Sequence, residues 1–159
     1  MSTNNKAVDE ARPTYLRSGG DPEFAAYVPA WLNNLADDVT LEGSMMDGAV
    51  QGAEPVRALL AYIRSLYERQ EFSYAGPYGE NGFLEDYTAV IRGEPIGNVV
   101  LIARNNSGET QHIVGNYRPR STLLLLSRLV GEHFAGTPLS EHFAVGGTET
   151  SRGQEGSPS

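Results

Sequence analysis

The sequence predicts an α+β domain: a curved antiparallel sheet, shaped as a cone-like half-barrel, packed on three helices from the N-terminal half and followed by a C-terminal helix. Three observations predict it. Apolar residues recur at helical spacing up to about residue 70. The period then falls to two over four stretches separated by turn residues. Finally Ser121 is placed to cap an apolar helix that Gly136 and Pro138 end.

Asp21-Pro22-Glu23 combines a good N-cap, a proline suited to the first helical turn and an acid at the positive helix end. Phe24, Tyr27, Val28, Trp31, Leu32 and Leu35 follow as one apolar stripe. Pro29 interrupts that stripe and predicts a kink or a split into two helices. Asp37-Asp38 opens a short strand over 39–42, and 43–52 reads as a loop. A second long helix begins near Ala53-Glu54-Pro55, with Val56, Leu59, Leu60, Ile63, Leu66 and Tyr67 on one face and Arg57, Arg64 and Glu68 largely on the other. Strands are predicted at about 72–78, 83–93, 96–106 and 110–118, joined by hairpins at Gly93-Glu94-Pro95 and Asn106-Ser107-Gly108. The closing helix covers 122–134.

The 159 residues suit one domain, expected over 14–144 between disordered ends at 1–13 and 145–159. Cysteine is absent, which excludes disulfides, thiolate metal sites and cysteine nucleophiles. The net charge is −8 with no basic cluster, so nucleic acid and anionic membranes are poor partners. No apolar run is long enough to span a bilayer, and the start lacks a secretory core, so a cytoplasmic protein is expected. His112, His133 and His142 show no ligand spacing, no phosphate loop or Gly-x-Ser-x-Gly elbow occurs, and neither a metal nor another cofactor is expected.

The segment Leu35-Ala36-Asp37-Asp38-Val39-Thr40-Leu41-Glu42 resembles the opening strand of nuclear-transport-factor-2-like proteins. Gly52 and the helix after it resemble that superfamily's helix start, and the hairpins at Gly93 and Ser107-Gly108 fit its strand order. The likeness spans about residues 21–120 and points to the branch of SnoaL-like polyketide cyclases. It implies a cavity between the sheet and the helices, and a homodimer through the outer sheet face. Ketosteroid isomerases of the same superfamily carry two catalytic acids. The matching positions here hold Gly43 and, counting back from Arg104, Leu101. The carboxylate pair is therefore missing.

Strand alternation, read with the family's register, aims Phe83, Glu85, Tyr87, Ala89 and Ile91 inward. On the next strand it selects Val99, Leu101 and Ala103, and on the last Ile113, Gly115 and Tyr117. A one-residue slip of the last strand would present His112, Val114, Asn116 and Arg118 instead. Tyr27, Trp31, Leu60, Ile63 and Tyr67 would complete the wall from the helices, with Met45 and Met46 from the loop. Each also has an ordinary reading: core packing for Tyr27 and Trp31, gap filling for the methionines, a solvated rim charge for Glu85 and a turn for Asp47-Gly48. The candidate catalytic residues are Tyr87, Glu85 and Asn116; the candidate substrate contacts are Tyr27, Trp31, Met45, Met46, Leu60, Ile63, Tyr67, Ala89, Leu101 and Tyr117.

The expected function is a cyclase acting on an apolar polyketide-type intermediate. It would work mainly by shaping the substrate for a pericyclic or cycloaddition-type closure, with tyrosine or asparagine hydrogen bonds to a carbonyl. The alternatives are an aldol-type cyclase or isomerase using Asp47 or Glu85, a non-catalytic small-molecule binder, or a protein-interaction module with a filled interior. The run Leu123-Leu124-Leu125-Leu126 covers most of a helix circumference and predicts either a subunit contact or a lid over the cavity.

Overall fold

The structure, a computed structural model, describes residues 29–143. The expectations for 1–28 and for 144–159, including the helix start at Asp21 and both disordered ends, lie outside the described residues. The order is a 3₁₀ turn (Ala30–Asn33), β1 (Leu35–Gly43), β2 (Val50–Gln51), α1 (Ala53–Leu66), β3 (Tyr67–Tyr78), β4 (Gly82–Ile91), β5 (Glu94–Arg104), β6 (Thr110–Arg118), α2 (Arg120–His133) and a 3₁₀ turn (Pro138–Phe143). The fold class is the expected α+β.

One six-stranded sheet runs in the order β2-β1-β6-β5-β4-β3. The meander from β3 to β6 is antiparallel throughout, and β1 joins it by pairing parallel to β6. The sheet is therefore mixed at that one junction. Parallel neighbours need a long connection, and here α1 and the meander supply it.

Local chemistry explains most boundaries. Pro29 sits at the N-cap of the first 3₁₀ turn, so the apolar stripe does not continue as a helix there; Leu35 already belongs to β1. Strand β1 starts at Leu35 rather than Val39, and β3 starts at Tyr67, directly after α1. Tyr67 thus enters the sheet as the first residue of a strand, not the last of a helix. Ile91 pairs with Glu94, which leaves Arg92 and Gly93 as a two-residue hairpin loop. Both have positive φ, 51° and 79°, the geometry whose twist matches the flanking strands.

Helix α1 buries Val56, Leu59 and Ile63 against the sheet, and α2 buries Leu126, Leu129 and Val130 beside it. Thr122 Oγ1 donates to the Pro95 carbonyl over 2.8 Å, and Ser127 Oγ to that of Met45 over 2.8 Å, fixing α2 to β5 and to the β1–β2 turn. Leu124 remains 55% exposed. None of Leu123 to Leu126 lines the cavity described below, so the run packs beside the cavity rather than lidding it.

Candidate active site

The sheet alternation puts Glu85, Tyr87, Ala89 and Ile91 of β4 on the inner face, all buried. On β6, Ile113 is buried while Gly115 and Tyr117 reach the cavity, so the unslipped register is the one adopted. On β5 the parity is the reverse of the expectation. Ile96, Asn98, Val100 and Ile102 are buried, while Val99, Leu101 and Ala103 face outward. The reason is visible in Asn98-Val99-Val100-Leu101-Ile102: both parities are apolar, so alternation alone does not choose between them.

The cavity between this face and α1 has an atom-free envelope of about 610 Å³ that includes its open mouth. The space open to the centres of water-sized molecules is only about 50 Å³. Trp31, Met45, Met46, Leu60, Ile63, Tyr67, Glu85, Tyr87 and Tyr117 all line it, as the sequence predicts. Both methionines reach it because they sit in a turn, where strand alternation does not apply.

Other expectations need correction. Ala89 is buried in the core but is not part of the cavity wall, and Leu101 lies on the outer face. Asn116 is exposed on the outer face, because its neighbours Gly115 and Tyr117 take the inner one. Asp47 is exposed and does not line the cavity. His112 lies outward beside Thr40 and Glu42; its ring meets the Thr40 hydroxyl and stands 3.7 Å from a Glu42 oxygen. Arg64, read from the sequence as facing away, lines the cavity. Tyr27 lies outside the described residues.

Glu85 is not a rim charge. Its residue is only 2% exposed, and Trp31 Nε1 donates to its Oε2 over 3.0 Å. Two residues along the same strand face, Tyr87 belongs to a hydroxyl cluster. Tyr67 Oη lies 2.7 Å from Tyr87 Oη and 2.7 Å from Tyr117 Oη. Asn98 Nδ2 donates to Tyr87 Oη over 2.8 Å. Three strands and the α1–β3 junction thus bring three phenols and one amide together. Sequence reasoning missed Asn98 as a cavity residue. Its signal was a lone amide in an otherwise apolar strand, which a buried face rarely carries without a partner.

Burial drives all three tyrosines above the ordinary phenol range, Tyr67 and Tyr117 by a wide margin. Their mutual repulsion once ionised adds to the rise at Tyr67 and Tyr117, whereas hydrogen bonds from Tyr67 and Asn98 partly offset it at Tyr87. Near neutral pH the cluster is therefore a set of neutral O–H donors, not a base.

Gly43, which the sequence resemblance matches to the first isomerase acid, is hemmed in by backbone. A Cβ on Gly43 would collide with the carbonyl oxygen of Gly115, which also accepts a hydrogen bond from Ser44 N over 3.0 Å. Among the described residues no group of three or more His, Asp or Glu is arranged to hold a metal ion. No described helix is long and apolar enough to cross a membrane.

No protein-family model and no curated protein matches the chain. Solved structures do. An uncharacterised conserved bacterial protein with a cystatin-like fold from Silicibacter pomeroyi DSS-3 aligns with a TM-score of 0.62 at 19% identity, over 67% of this chain and 74% of that one. A steroid delta-isomerase from Pseudomonas aeruginosa aligns with a TM-score of 0.60 at 17% identity, over 65% of this chain and 77% of that one. This chain has the nuclear-transport-factor-2-like, or cystatin-like, fold.

Proposed function

We propose that this protein is an enzyme of isomerase or cyclase type acting on an apolar small molecule that carries a carbonyl group, with a polyketide-type intermediate as the substrate class. One observation carries the reading: a cavity with largely apolar walls that holds a tyrosine–asparagine cluster and, two residues along β4 from Tyr87, the buried carboxyl of Glu85, with Glu42, Arg64 and Gln70 as its other polar lining. The apolar walls hold a chain in a compact shape, and holding reacting atoms in place offsets about 7–11 kcal/mol in favourable intramolecular cases. A neutral phenol donating to the carbonyl oxygen draws electron density toward that oxygen. In a desolvated cavity such a donor acts more strongly than in water. Ring closure by confinement with carbonyl polarisation follows from these parts.

A second reading is favoured by the burial of Glu85. Its carboxylate would remove a proton from carbon beside the polarised carbonyl. The protonated acid would return it to another carbon in an isomerisation, or to the new alkoxide oxygen once the enolate carbon has attacked a second carbonyl in an aldol closure. That is aldol-type or isomerising chemistry, run by one acid where the ketosteroid isomerases that the sequence resemblance brings in use two. Asp47 does not line the cavity and takes no part in this chemistry.

The test incubates the protein with a linear polyene ketone in D₂O and follows products by chromatography and NMR. Accelerated conversion without deuterium at carbon supports confinement. Deuterium at carbon that disappears in Glu85→Gln supports the second reading. No acceleration, with binding retained, makes the protein a binder and rejects both.

A further inference from the structure

The hydrogen-bond inventory of the cluster does not close. The three hydroxyls answer one another: Tyr67 lies within hydrogen-bond distance of Tyr87 and Tyr117, and Tyr87 and Tyr117 also interact. Asn98 Nδ2 adds an amide proton at Tyr87, and all four residues line the cavity. At the other end, Asn98 Oδ1 is buried with no hydrogen-bond partner. Asn98 as a whole is only 3% exposed, so solvent does not serve that oxygen from the surface. The space beside it is kept open by a glycine: a Cβ on Gly115 would lie 3.6 Å from Asn98 Oδ1 and 3.7 Å from Nδ2.

We infer that the ligand of this cavity presents a hydroxyl group (an enol, phenol or alcohol) to this spot, donating its proton to Asn98 Oδ1. A simple carbonyl or ether has no proton to give and leaves the amide oxygen orphaned, which is costly in a dry site. An oxygen that bears hydrogen answers it. The inference rests on the small-molecule reading above and sharpens it. The polarised substrate carbonyl would be bound as, or converted into, its enol, whose O–H the asparagine carbonyl then accepts.

The experiment titrates the full chain calorimetrically with three flat probes: 2-naphthol, 2-methoxynaphthalene and naphthalene. The expected result is that 2-naphthol binds about tenfold or more tighter than its methyl ether, the cost of an unmet buried acceptor. In Gly115→Ala the added methyl covers Asn98 Oδ1 at ordinary contact distance, so the preference should shrink to less than about threefold with the melting temperature kept. In Asn98→Leu the preference should vanish as well. Equal binding of 2-naphthol and its ether would mean that the amide presents its NH₂ to the ligand instead, and would overturn the inference while leaving the small-molecule reading intact. Binding of none of the three would overturn both.

Discussion

Trp31 Nε1 donates to Glu85 Oε2 over 3.0 Å, joining a 3₁₀ turn at the start of the described chain to β4, the strand next to the sheet's β3 edge. Both residues are buried, and Trp31 is the chain's single tryptophan. Replacing it by Phe keeps an aromatic ring and removes the donor. Trp31→Phe is expected to cost about 1–3 kcal/mol of stability, since a buried carboxyl loses a hydrogen bond. Denaturant unfolding checks this, and the cost should be smaller when the change is made in a Glu85→Leu background.

The tyrosine cluster sets a pH dependence at the alkaline end. Tyr67, Tyr87 and Tyr117 all have folded-state values raised above the ordinary phenol value of 10.0. Below that value the tyrosines are neutral in both states, and their contribution to stability is whole. Above it the unfolded chain releases protons that the folded chain retains, so stability falls as pH rises toward the folded values. The slope is up to about 1.4 kcal/mol per pH unit for each tyrosine. Urea unfolding between pH 9 and pH 11.5 should show this loss, and Tyr117→Phe should make it shallower.

Placing an acid at Gly43, the position the sequence resemblance matches to an isomerase acid, should fail for steric reasons. Any side chain on Gly43 meets the Gly115 carbonyl, a backbone atom of a paired strand that has little room to yield. Gly43→Asp is expected to destabilise by about 1–3 kcal/mol or more. Thermal unfolding measures that, and no steroid isomerase activity should appear.

The outer face of the sheet carries an apolar row. Leu84 pairs with Leu101, and Leu101 with Val114, and all three are half-buried. A homodimer through this face is the expected assembly. Sedimentation velocity should report a dimer for the native chain and a monomer for Leu101→Glu, whose charge would sit in the middle of the row.

Much of this arrangement was legible in the sequence. The turn residues and the change of period predict the meander, and alternation read with the family's register predicts the inner positions of Glu85 and Tyr87, while it leaves two registers open at Tyr117. The inward expectation for Leu101 fails, and Asn98 escapes notice, because β5 is apolar on both parities and only its partners decide which side is buried. Glu85 looked like a rim charge because nothing local announces that a tryptophan 54 residues earlier will hydrogen-bond to it. Asn116 was a candidate only under a slipped register of β6. The parallel pairing of β1 with β6, set by contacts distant in sequence, excludes that slip.

Trp31 lines the cavity and is the chain's single tryptophan, so its fluorescence reports directly whether a guest occupies that space. Titration with 2-undecanone, a slender apolar ketone, is the shortest test that the cavity holds a small molecule by its polar end. A saturable change in Trp31 emission, weakened about tenfold in Tyr87→Phe, is the expected result. Emission that never saturates, or saturates identically without the Tyr87 hydroxyl, would contradict the account.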